Sequence, residues 1–193
     1  MAQLRLQAEV SQLEGTLEST ADAPSLPPYL VPDATALTEN LQQIKQLTNS
    51  ARFIVIIALA VIDQLDFLKK DRGGAREAIR WLEAEFRRGN RYVRAQKNHE
   101  KTSTIPHKNL KKRDRDAWRF LQIVDCCKYL SQQSAEMEGR GMVCVLTNLS
   151  GEEPNLSLRY KQALLSAPQE GISIQKPSEF FGKWKEAWKG SKG

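Results

Sequence analysis

Residues 53–57 read Phe-Ile-Val-Ile-Ile, a continuous apolar run rich in β-branched side chains. A run this short, with no polar alternation, predicts a strand buried on both faces. Residues 61–70, Val-Ile-Asp-Gln-Leu-Asp-Phe-Leu-Lys-Lys, follow as a helix that stops at Asp71-Arg72-Gly73-Gly74. A buried strand followed by a helix is the repeating unit of a parallel sheet.

Working outward, the alternation continues. Upstream, Tyr29 to Val31 is a short apolar run before Pro32 and Asp33, and Thr38 to Asn49 has helical spacing with Leu41, Ile44 and Leu47 on one side. Downstream, Ala75 to Arg88 predicts a helix with Ile79, Leu82 and Phe86 on its apolar face, ended by Gly89-Asn90. Tyr92 to Ala95 and Met142 to Leu146 predict strands, Asp114 to Gln132 a well-buried helix, and Leu156 to Leu165 another. Ile172 to Ile174 is a brief strand, and Pro177 to Lys189 a last helix with proline at its start. The expected fold is α/β: a Rossmann-like central parallel sheet flanked by helices, over residues 29–189.

The flanks differ in character. Leu6, Val10, Leu13 and Leu17 place an amphipathic helix in residues 1–18, either an extra helix on the domain or the end of a coiled segment. Residues 19–28 read as a linker, and 190–193 as a tail.

Among 193 residues, 40% are hydrophobic and 27% charged, in the range of globular domains. No apolar run approaches the ~20 residues of a membrane span. The first residues lack the apolar stretch of a signal peptide, so the expected location is the cytoplasm, with shuttling to the nucleus. Cys126, Cys127 and Cys144 have neither zinc nor disulfide-framework spacing and read as buried thiols. The net charge of +6 favours an acidic partner. From Lys97 to Arg119 eight Lys or Arg stand against three acids. Within this stretch Lys108, Lys111, Lys112, Arg113 and Arg115 are the candidate RNA contacts, because phosphate neutralisation needs only positive charge; a solvated charged loop is the alternative.

In sheets of this kind functional groups collect beyond the carboxyl ends of the strands. That rule selects Asp33, the segment near Asp63, and Thr147-Asn148. Asp33 is either an oxygen ligand for a hard cation, a candidate metal ligand by position, or a helix cap or turn aspartate just after proline.

These segments resemble a known family. Tyr-Leu-Val-Pro-Asp at 29–33, the 53–57 run and residues 61–70 look like the opening of a PIN domain. The stretch Gly-Ala-Arg-Glu-Ala-Ile-Arg-Trp-Leu-Glu-Ala-Glu-Phe-Arg-Arg-Gly-Asn-Arg-Tyr-Val-Arg at 74–94 closely resembles the PIN domains of the fifth SMG factor, in the Est1-like family of nonsense-mediated mRNA decay. Residues 2–15 resemble the segment preceding that domain. Active PIN nucleases carry an acid after the first strand, which Asp33 matches, and a Glu in a Glu-Leu-Asp element, where Gln64 stands here. An amide keeps the size but not the charge. Asp63 is one residue away, about 100° round a helix, and Asp66 matches the Asp of the element. The third family acid is matched by Asp116 or Asp114, each of which also reads as an ordinary acid at a helix N-terminus. The fourth follows Leu-Thr, where Asn148 replaces it; Glu152 and Glu153 lie in an apparent insertion. Where Ala58 stands, the family pattern places proline.

The resemblance therefore implies a vestigial acidic site, Asp33 with Asp116, whose positions at Gln64 and Asn148 are amides. It implies an inactive nuclease fold with no cofactor, serving as an interaction module in mRNA surveillance. The implied partners are other SMG factors, an Upf-type helicase, phosphatase and single-stranded RNA, with no membrane. One alternative is a weak single-strand ribonuclease holding Mg²⁺ or Mn²⁺ on Asp33, Asp116 and Asp63; another is a protein-binding domain with no nucleic-acid role.

Overall fold

A computed structural model describes residues 26–102, 113–134 and 141–190. The helix expected in residues 1–18, most of the linker, and residues 191–193 lie outside them. By compactness the chain divides into Pro27–Gly182 and a smaller remainder, whose described part is Leu26 and Lys183–Gly190. No helix among the described residues is long and apolar enough to cross a membrane.

Five strands form one sheet: β1 (Tyr29–Pro32), β2 (Ile54–Ile57), β3 (Val93–Ala95), β4 (Val143–Leu146) and β5 (Ser173–Gln175). Their order is β3-β2-β1-β4-β5, and every neighbouring pair is parallel. The three central strands hold the β-branched runs. Leu30, Val31, Ile56, Ile57 and all of Val143–Leu146 are fully buried, as sheets covered on both faces require. The chain leaves β1 for β2 and β3, then returns to place β4 on the other side of β1. The order reverses there, and a crevice opens beyond the carboxyl ends of β1 and β4.

The helices are α1 (Ala34–Glu39), α2 (Leu41–Asn49), α3 (Leu59–Leu68), α4 (Gly73–Arg88), α5 (Arg115–Ser134), α6 (Leu158–Ser166) and α7 (Pro177–Gly190); a 3₁₀ turn, Ala167–Glu170, follows α6. Gly182, within α7, is the last residue of the larger unit. Two boundaries depart from the sequence pattern. The single helix expected over 38–49 is two, because Asp33 caps a helix directly after β1 and the backbone at Asn40 (φ −123°) interrupts it. The Gly73-Gly74 stop is also a start: both glycines open α4. A Cβ on Gly74 would lie 2.4 Å from the Thr38 carbonyl oxygen, so only glycine lets α4 approach α1 this closely.

Ala58, where the family pattern has proline, enters α3 with φ −63°, the angle a proline ring would impose. It offers no side-chain cap; Gln96 Oε1 instead accepts from Leu59 N at 3.0 Å. The cysteines are buried and free as expected. Burial pushes the Cys126 thiol up to about 12 and raises Cys127 well above its ordinary value, so neither forms a thiolate at neutral pH.

Candidate functional site

Asp33 extends β1 by one residue: its N–H donates to the Leu146 carbonyl at 2.9 Å. The turn into α1 then aims its side chain back at the chain. Oδ1 accepts from Ala36 N at 2.9 Å and Thr35 Oγ1 at 2.6 Å, and Oδ2 accepts from Thr147 Oγ1. Only 3% of the residue is exposed. Burial pushes its carboxyl above the ordinary carboxylate value, and the bonds from Thr147, Thr35 and Ala36 only partly offset this. The cap that the sequence offered as an alternative is therefore made, by a residue that also faces the crevice.

That crevice is a cleft of about 280 Å³. Asp33, Gln64 and Asp116 all line it, brought from the end of β1, from α3 and from α5. Arg72 and Arg119 contribute positive charge, and Phe67 and Tyr160 contribute aromatic rings. A larger hollow of about 560 Å³ lies near α6 and the end of β5, but it is lined by none of the predicted acids or amides except Glu152. We assign the site to the smaller cleft because Asp33, Gln64 and Asp116 all line it.

The choice between the two acids at the start of α5 follows from their partners. Asp114 caps the helix: it accepts from Ala117 N at 3.1 Å and from the Ser157 hydroxyl. Asp116, two residues on, reaches the cleft and pairs with Arg119, whose Nη1 stands 3.4 Å from Asp116 Oδ1. Asp63 is exposed and does not line the cleft. Asp66 pairs with Lys69 at 3.0 Å on the outer side of α3. Glu153 folds its own turn, accepting from Ser150 N and Gly151 N at 2.9 Å each.

Asn148 does not line the cleft. Its Nδ2 donates to Glu39 Oε2 and to Asn40 Oδ1, both at 2.7 Å, and its N–H donates to Thr35 Oγ1 at 3.0 Å. The residue ties the end of β4 to the end of α1. A carboxylate could not make the two side-chain donations, and would face the Glu39 carboxylate.

Of the basic candidates, Arg113 and Arg115 are exposed and stand outside the cleft lining; Lys108, Lys111 and Lys112 lie outside the described residues. Arg119, the last of the basic run, turns inward and is 8% exposed. Arg72 and Tyr160 carry no sequence signal of a site. Arg72 sits beside a helix stop, and Tyr160 reads as one more apolar position of α6.

Two-metal cleavage clamps the attacking and leaving oxygens between ions about 4 Å apart. The donor set here does not fit that pair. Two carboxylates line the cleft, one capping α1 and one paired with Arg119, and the third position is an amide. Among the described residues no three of His, Cys, Asp or Glu gather closely enough to hold a metal ion.

The family described as PIN domain matches residues 30–151. The chain is 47% identical over 189 residues to the nonsense-mediated mRNA decay factor SMG5 of Homo sapiens, covering 96% of this chain and 18% of that protein. It is 45% identical to the Mus musculus factor of the same name, with the same coverage. The chain thus spans less than a fifth of the length of these relatives. Among solved structures, the PIN domain of human SMG5 is similar at 33% identity, covering 81% of this chain and 99% of that one, with a TM-score of 0.48. With the profile matched across β1 to β4 and the acids and amides placed as described, the chain belongs to the PIN-domain family.

Proposed function

We propose that this chain is a catalytically silent PIN domain of a nonsense-mediated mRNA decay factor, acting as an interaction module that also holds single-stranded RNA. The observation that carries the first part is the fate of the amides. Gln64 stands in the cleft without charge, and Asn148 is engaged with Glu39 and Asn40 instead of the cleft. The place in mRNA decay rests on the named relatives, and with it the partners: other SMG factors, an Upf-type helicase and phosphatase, in the cytoplasm with access to the nucleus. The RNA part rests on charge, with Arg113 and Arg115 exposed beside Lys108, Lys111 and Lys112 in the sequence.

Purified protein incubated with labelled single-stranded RNA and excess Mn²⁺, beside an Asp33→Ala variant, tests the silence. No cleavage above background is expected. Cleavage by the parent that disappears in the variant would overturn the reading. For RNA, Ala at all five basic positions should weaken binding and flatten its salt dependence; unchanged affinity and slope would remove the basic run from the proposal.

One observation favours a second reading, a weak ribonuclease with one Mn²⁺ or Mg²⁺. Asp33 and Asp116 line the same cleft, and Mg²⁺ sites are often built from one or two carboxylates completed by substrate phosphates. The same cleavage assay separates the two.

A further inference from the structure

The mismatch between this cleft and a metal centre has a second side: the cleft carries its own cations and donors. Arg119 is nine-tenths buried, yet its one ion pair among the described residues is the 3.4 Å contact to Asp116. A guanidinium has five N–H donors, and leaving them unmet away from water is costly. None of its nitrogens is among the fully buried unpartnered atoms, so the remaining donors keep some exposure, and the residue lines the cleft. Its Cζ also lies 5.9 Å from the centre of the Phe67 ring, itself 54% exposed at the cleft.

Tyr160 supplies an independent observation. The residue is 6% exposed, its ring packs on Phe120 at 5.0 Å, and its hydroxyl has no hydrogen-bond partner among the described residues. Burial, and then the charges of Asp33, Asp116 and Glu153, push its ionisation up, so it stays a neutral donor. Arg72 makes no side-chain hydrogen bond among the described residues, and neither does Gln64.

We propose that this cleft binds a phosphate of single-stranded RNA directly, through Arg119, Tyr160 and Arg72, with the arginines in the charge-neutralising role that metal ions play in an active nuclease. The proposal rests on the RNA-binding reading above and gives it a second locus, distinct from the basic run. Two carboxylates oppose it, and neither is a free anion. Asp33 is buried under three hydrogen bonds, and Asp116 already pairs with Arg119. A phosphate entering the cleft competes with Asp116 for Arg119, which sets the sign of a decisive variant. Loss of the Asp116 charge should tighten RNA binding here, whereas at a metal-bridged site it would weaken it.

The experiment is fluorescence anisotropy of the full 193-residue chain with labelled oligouridylate, in EDTA and then in Mg²⁺ or Mn²⁺ at matched ionic strength. Affinity should be the same with and without metal. Arg119→Gln and Tyr160→Phe should each weaken it, Arg119→Gln on the order of tenfold, as expected for one charge-assisted hydrogen bond. Each arginine loss should reduce the log–log salt slope by about 0.7. Arg72→Gln, at an exposed position, covers the case in which the buried Arg119 variant fails to fold. Asp116→Asn should bind more tightly. Binding that requires metal, that weakens in Asp116→Asn, or that ignores all three donor variants overturns the proposal while leaving RNA binding through the basic run intact. No binding by the parent protein overturns the RNA reading itself.

Discussion

Asn148 Nδ2 donates to Glu39 Oε2 at 2.7 Å, joining the end of β4 to the last residue of α1 across 109 positions of sequence. The amide that replaces a family acid is thus a structural donor. Its neighbours, an anionic carboxylate and the Asn40 oxygen, are arranged for a donor and against an acid.

Asn148→Asp should therefore destabilise the domain. The substitution removes two donations and places like charges together near the surface, a loss of about 1–2 kcal/mol in urea denaturation. Adding Glu39→Gln should recover most of it, because the new amide can donate to the new carboxylate. An Asn148→Asp protein as stable as the parent would mean the contact contributes nothing.

Gln64 predicts the opposite behaviour. It lines the cleft with Asp33 and Asp116, so Gln64→Glu adds a third carboxylate to the lining of that cleft. Mn²⁺ affinity by calorimetry should rise on the order of tenfold, since ligand charge count tunes affinity for hard cations. Asn148→Asp should leave it unchanged. An equal gain from both substitutions would contradict the placement of Asn148 outside the cleft.

Asp33 sets a pH dependence whose sign can be worked out. Burial holds its folded-state value above the ordinary 3.8. The folded protein therefore binds that proton more tightly than the unfolded chain, and the contribution of Asp33 to stability falls as pH rises from near 3.8 through the raised value. Asp33→Asn keeps a capping oxygen and carries no charge. Its melting temperature relative to the parent should be higher at pH 7 than at pH 3.5. A parent that gains on the variant as pH rises would contradict the direction.

Arg94 and Glu100 give the reverse sign. Burial would raise the Glu100 carboxyl, but Arg94 grips both its oxygens at 2.7 Å and Lys97 N adds a third bond at 2.8 Å, so it is held below the ordinary 4.5. The stability it contributes is present above 4.5 and is lost as pH falls through the lower folded value. Arg94→Gln leaves a buried, poorly partnered carboxylate and should cost about 2–4 kcal/mol at pH 7. The cost should shrink below pH 4.5, where the carboxyl of the variant is protonated; a cost that grows in acid would exclude this account.

What the residue order determined alone was local. The short, uniformly apolar runs at 53–57 and 143–146 carry the signature of strands buried on both faces, and the periodicity of 75–88 that of a helix. Asp33 followed from these, because a residue just past a central strand must lie at the sheet's carboxyl edge. Gln64 lacks charge wherever it points. Tertiary structure decided which groups meet. Asp114 and Asp116 are indistinguishable as acids in one helical turn until the Ser157 hydroxyl takes the first and the cleft receives the second. Tyr160 and Arg72 are 88 positions apart, on α6 and in the α3–α4 connection, and only the fold brings them to line one cleft. Asn148 acts as a clasp because its partners, Glu39 and Asn40, lie at the end of a helix that the hydrophobic pattern did not reveal, the one capped by Asp33.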